Sequence, residues 1–131
     1  MFLDKAREIV DKSKDTVIVQ KVVTDISGGV VLDVEGYKGK YIYAGQPIVV
    51  EDKDGRANYK PLNVTKDPVE DEKGTLAAVG EGEEVIGFAI QTENVDHANV
   101  GVVTFGVINN EAAYFDVAEH IEALNFKQPI K

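Results

Sequence analysis

The 131-residue chain has no cysteine, so neither a disulfide framework nor a thiolate metal site is open to it. No apolar run approaches the roughly 18–20 residues that span a bilayer. The opening MFLDKAREIV meets charge too early for a signal peptide, so a soluble, unprocessed protein without a membrane partner is expected. Positive charge is also scarce: 14 Lys and Arg stand against 23 Asp and Glu, a formal net charge of −9. Phosphate contacts need clustered cations. Arg7 and Arg56, the only arginines, lie far apart, which argues against nucleic acid as a partner. Ser13 and Ser27 are the only serines, and neither sits in the elbow of a hydrolase nucleophile.

What is present is β-type patterning. The stretch GFAIQTENVDHANVGVVTFGVINNE, residues 87–111, organises the rest. Residues 85–92 and 99–107 read as strands around a polar turn at 93–98. In the second run Val100, Val102, Thr104 and Gly106 point one way and Gly101, Val103, Phe105 and Val107 the other. A strand apolar on both faces is central or interfacial, not a solvated edge. Upstream, residues 16–23 (TVIVQKVV) are β-branched and strand-like. Turns are expected at Ser27-Gly28-Gly29 and near Gly36. Residues 40–50 (KYIYAGQPIVV) read as a strand that bends, or lies at an edge, near Pro47. An acidic turn at 51–55 precedes a strand at 56–62, and residues 66–73, containing Pro68, read as an exposed loop. Short strands separated by Gly, Asn and Asp predict a mainly β, small barrel or β-clip-like domain.

Two short helices flank this body. Phe2, Ala6, Ile9 and Val10 follow the spacing of one helical face over residues 2–12. A lone helix of that length is marginal in water, so the stripe must dock. Phe2, Leu3, Ala6, Ile9 and Val10 are therefore the candidate subunit or partner contact, with packing into the chain's own core as the competing role. Asp116 and Glu119 have the spacing of a capping box, and Val117, Ile121 and Leu124 make a second apolar stripe. The expected organisation is one domain, 1–131: a helix or docking segment at 1–12, a β-rich body at 16–115, and a helix and tail at 116–131.

Tests for chemistry return little. The turn Asp52-Lys53-Asp54-Gly55 has Asn63 where a calcium loop needs a bidentate Glu, so it reads as solvated. His97 and His120 share no ligand spacing. Gly80-x-Gly82 precedes a strand rather than a helix and is no dinucleotide fingerprint. No carboxylate pair stands out, so no catalytic, metal or cofactor residue is expected, and the chain does not read as an enzyme. Tyr37, Tyr41, Tyr43 and Tyr59 cluster in the middle third. The rings of Tyr41 and Tyr43 share a sheet face, which suits core packing or, alternatively, a carbohydrate- or ligand-binding face built from Tyr41, Tyr43 and Tyr59.

A family resemblance rests on Asp25-Ile26-Ser27-Gly28-Gly29 with Val31-Leu32, Tyr43-Ala44-Gly45-Gln46-Pro47-Ile48, and Val85-Ile86-Gly87 with Asn94-Val95. It continues through Gly106-Val107-Ile108-Asn109-Asn110-Glu111-Ala112 to Ile121-Glu122-Ala123-Leu124 and Phe126. With these pieces the chain resembles the small capsid decoration proteins of tailed phages and prophages, the head-fibre and head-stabilising proteins. The resemblance implies a compact β-clip or small-barrel domain without a cofactor. It also implies a homotrimer made in the bacterial host cytoplasm and seated on the virion exterior, clamping neighbouring major capsid subunits. The chain departs from the lambda-type pattern at its start, where a helix-like segment replaces a flexible Gly/Thr/Ala-rich arm.

Overall fold

The computed structural model describes residues 15–26, 29–70, 72–124 and 126. The expected helix at 2–12 and the tail at 127–131 lie outside these residues. The protein is mainly β. After a single helical turn, Asp15–Ile18, the strands are β1 (Val19–Asp25), β2 (Val30–Val31), β3 (Tyr41–Ile42), β4 (Pro47–Lys53), β5 (Arg56–Pro61) and β6 (Val64–Lys66). Then come β7 (Thr75–Leu76), β8 (Glu83–Ala89), β9 (Glu93–Asn94), β10 (Asn99–Val100) and β11 (Val102–Ile108), and a C-terminal helix, Ala118–Ala123.

The body is an antiparallel five-stranded sheet in the order β1-β11-β8-β4-β5, accompanied by the small pairs β10-β2, β3-β9 and β6-β7. The sheet is open: β1 and β5 are its edges, so the expected barrel is not closed. The two-sided run at 102–108 lies between β1 and β8, as its patterning requires. Adjacent residues on each strand enter opposite clusters. Phe88 and Val103 pack with Ile18, Tyr43, Phe115, Ile121 and Phe126, while Ala89 and Val102 pack with Leu32, Ile42, Ile48 and Val100. The sheet is thus a middle layer with a core on each face. Phe88 is wholly buried, and burial of such a side chain contributes about 2–3 kcal/mol. Tyr43 meets Phe115 edge-to-face at 5.3 Å, a geometry that adds about 1 kcal/mol.

Several local expectations shift. Residues 15–18 are helical, so the β-branched run becomes a strand only from Val19. The acidic turn contracts to Asp54 and Gly55, because β4 and β5 pair up to Lys53 and Arg56. Both central residues have positive φ, 55° and 81°, as a two-residue type I′ hairpin requires. Residues 40–50 break at Gly45 into β3 and β4, and Pro47 opens an interior strand, where its missing N–H is tolerated. The run at 99–107 divides at Gly101, since β10 leaves to pair with β2. The C-terminal helix begins at Ala118; Asp116 accepts from the Ala118 N–H at 3.2 Å and Asn110 from the Val117 N–H at 2.8 Å. Val117 and Ile121 are buried in the first cluster and Leu124 packs against it, as the stripe predicts.

Candidate functional site

The candidate contact residues Phe2, Leu3, Ala6, Ile9 and Val10 lie outside the described residues. The chain that follows them runs through the first helical turn directly into edge strand β1. There Val17 is 45% exposed and Val22 40% exposed, and Lys21, Thr24 and Asp25 are open to solvent. Among the described residues β1 pairs only with β11, with register irregularities at three points. A bulged, charged edge is a poor template for another strand. What this region offers a partner is side chains, among them Val17 on the helical turn and Val22 on the strand.

A buried polar hub lies behind it. Gly45 has φ of 81°, and a Cβ there would fall 2.7 Å from Ile18 Cγ2. Glycine therefore turns the chain and lets Ile18 press against it. The next residue, Gln46, is fully buried. Its Oε1 accepts from the Tyr43 N–H at 2.9 Å, and its Nε2 donates to Leu62 O at 2.7 Å and to the Tyr37 hydroxyl at 2.9 Å. Tyr37 passes its own proton to Tyr41 O at 2.6 Å. Burial pushes the Tyr37 phenol well above its ordinary value, and burial followed by the Asp67 charge does the same to Tyr43. Both hydroxyls are therefore fixed donors. Among the described residues no buried side-chain nitrogen or oxygen lacks a partner.

The tyrosines do not share an open platform. Tyr43 is 0% exposed, with its ring among the first cluster and its hydroxyl donating to Asp67 at 3.1 Å. Tyr41 packs beside it, while Tyr59 packs on the second cluster, across the sheet. Tyr41 and Tyr43 do share a side, at 5.9 Å between ring centroids, but that side is core. A sugar face built jointly from Tyr41, Tyr43 and Tyr59 is not formed, because core packing claims the central ring.

Charged side chains collect along β4, β5 and β8. Lys60 Nζ lies 2.6 Å from Glu83 and 3.5 Å from Glu51, and Asn58 donates to both Asp33 and Glu51 at 3.0 Å. They border a cleft of about 240 Å³ lined by Asp33, Tyr37, Lys60, Asn63, Gly80 and Glu83. Asp33 and Glu83 are occupied with internal partners, and Glu35 also lines the cleft. The hydrogen bond from Lys60 holds Glu83 below its ordinary 4.5. The Glu35 N–H, then Asn58, hold Asp33 below 3.8. Depressed folded-state values mean stability that is complete above the ordinary values and lost as pH falls through the folded ones. The thermal midpoint is expected to drop below about pH 4.5, and Glu83→Gln should flatten that drop. A melting series from pH 7 to pH 3 reads both outcomes.

The remaining candidates take ordinary places. Asp52 accepts from the Gly55 N–H at 2.9 Å, closing the hairpin. His97 is exposed on a 3₁₀ turn, and His120 lies on the C-terminal helix. Sequence reasoning missed Gln46, Asp15 and Thr92; the one visible signal was an amide standing alone in the apolar run YAGQPIVV. Among the described residues no helix is long and apolar enough to cross a membrane. Comparison with known proteins finds no matching family model, no matching curated protein and no matching solved structure.

Proposed function

We propose that this chain is a non-enzymatic phage head decoration or head-fibre protein. On this reading it trimerises and binds the outer surface of a capsid through the major capsid protein, stabilising the shell. The observation that carries the reading is the β1 edge. A stiff sheet with a core on each face presents Val17 and Val22 on the segment that continues from the apolar stripe Phe2, Leu3, Ala6, Ile9 and Val10. On this reading the stripe and the exposed valines at 17 and 22 act together as the adhesive surface of an acidic protein. Such a surface suits association that is driven by apolar side chains and kept off random strand addition by bulges.

Deleting residues 1–12 tests this. The expected product keeps its β signature and cooperative melting but sediments as a monomer and no longer binds capsid shells. Val17→Asp with Val22→Asp should act in the same direction, since exposed substitutions cost the fold only about 0.5 kcal/mol each. If the deletion unfolds the body, the stripe is ordinary core. If the folded deletion still assembles and still binds shells, the adhesive surface lies elsewhere.

A further inference from the structure

The segment 74–78 carries a ladder on one side and an open slot on the other. On the ladder side Val64 stands opposite Leu76, and the Ala77 N–H donates to Asn63 O at 2.8 Å. That pattern marks a non-hydrogen-bonded pair, so the Leu76 N–H and C=O point off the opposite edge of β7. Gly74 faces the same way: its N–H donates to Tyr114 O at 2.9 Å, within a parallel bridge between Gly74 and Phe115. The chain at 114–116 thus begins to cover this edge and then departs, because Ala118–Ala123 is helical. Beyond the bridge lies a groove of about 650 Å³. The backbone of 74–78 forms one wall, and Asp116, Ala118, Glu119 and His120 form the other. Among the described residues no hydrogen bond outside the ladder reaches either Leu76 group.

The outer strands of the main sheet are protected where β7 is not. β1 is irregular at three points. On β5 the Asp33 N–H donates to Tyr59 O at 2.8 Å, and Pro61 has no N–H to offer. Such edges resist strand addition. The β7 edge keeps a donor and an acceptor beside small side chains, Ala78 and Ala118, which let another backbone approach. Asp116 and Glu119 line this groove and no lysine or arginine does, on a chain of net charge −9. The Asn110 amide, then the Ala118 N–H, hold the Asp116 carboxyl below its ordinary 3.8, so it is charged at neutral pH.

We propose that this groove docks an extended basic peptide of a partner protein, which adds to the free edge of β7 as a short strand while its cationic side chains meet Asp116 and Glu119. Backbone bonds supply the adhesion and the carboxylates select the partner. This docking site is independent of the contact given under Proposed function.

The test titrates the full chain against a fluorescein-labelled octapeptide of alternating lysine and valine. Binding is read by polarisation, and hydrogen exchange of the Leu76 amide is followed in parallel. The peptide should bind saturably and slow Leu76 exchange, while its counterpart with glutamate for lysine should bind at least about tenfold more weakly. A strand bonds its neighbour through alternate residues. N-methylation of one alternate set of peptide nitrogens should therefore weaken binding about fivefold, the scale of one net hydrogen bond, and of the other set hardly at all. Glu119→Lys should lower affinity about fivefold, the scale of an exposed ion pair. Ala118→Trp, which fills the groove from an exposed position, should abolish binding with melting unchanged. Lysine-peptide binding that survives Ala118→Trp, or that leaves Leu76 exchange unaltered, is general attraction to an acidic protein and overturns the proposal. So does a peptide that fails to bind. If Leu76 exchange instead slows as the chain alone is concentrated, and Ala118→Trp reverses this, the groove takes a second copy and the peptide partner is ruled out.

Discussion

Replacing Gln46 by leucine is expected to destabilise the protein by about 3–5 kcal/mol, since buried groups deprived of a partner cost about 1–3 kcal/mol each. The substitution roughly conserves volume but leaves the Tyr43 N–H, the Leu62 carbonyl and the Tyr37 hydroxyl without the amide that joins them. Tyr43 and Leu62 are buried and their orphaned groups cannot turn to water, whereas the Tyr37 hydroxyl keeps its bond to the Tyr41 carbonyl. Domains of this kind have only about 5–15 kcal/mol of net stability, so the variant should be partly unfolded at modest urea concentrations. Tyr37→Phe removes one member of the same network and should cost about 1 kcal/mol. The double variant should cost less than the sum, because the two side chains share a bond. Urea midpoints at constant slope measure all three; an additive double variant would break the network account.

Gly106→Ala should be as damaging for a different reason. A Cβ at Gly106 would fall 2.0 Å from the Lys21 carbonyl oxygen, which belongs to the backbone of β1 and cannot rotate aside. Gly106 stands opposite Val22 in the ladder, next to one of the bulges. Either β1 is pushed off β11 or the bulge rebuilds, and overpacking of this kind costs roughly 3 kcal/mol or more. Gly82→Ala is the control. There φ is 81° and nothing lies within 4 Å of the added carbon, so only the left-handed backbone is penalised, at about 1 kcal/mol. Thermal melting should separate the two variants by several degrees, and hydrogen exchange should show residues 19–25 losing protection in Gly106→Ala alone. Equal effects would mean that β1 adapts to the extra carbon.

The parts legible in the sequence were those where one local rule sufficed. Two-sided apolar alternation pointed to a central strand in the run at 99–107, acidic residues and glycine marked a turn within 51–55, and Val117, Ile121 and Leu124 announced the face of the last helix. Legibility failed where a remote partner decided. Residues 16–18 are β-branched, yet the bonds from Thr92 to Asp15 and the seat of Ile18 on Gly45 draw them into a helical turn. Whether the sheet closed into a barrel depended on how β1 and β5 sit relative to each other, which no short window encodes. The polar hub was opaque because Gln46, Tyr37 and Leu62 are separated by up to 25 residues, and an isolated amide in an apolar run looks like an interruption. The tyrosine spacing correctly put two rings on one side, but spacing alone could not say which side was covered.

The first and last strands of the main sheet are neighbours and run in opposite directions, so Val19 lies beside Ile108. Tension applied between those two points would open the ladder one rung at a time, like a zip. The same force applied across the sheet, from β1 to β5, would load every ladder in series, and the β11–β8 seam, paired at Val102–Ala89 and Val103–Phe88, would part first. Mechanical lifetime follows the rate of opening rather than equilibrium stability, so the direction of pull would govern how long the molecule holds. The sheet is therefore weakest at the seam in its middle, between β11 and β8, and holds longest when a pull does not cross it.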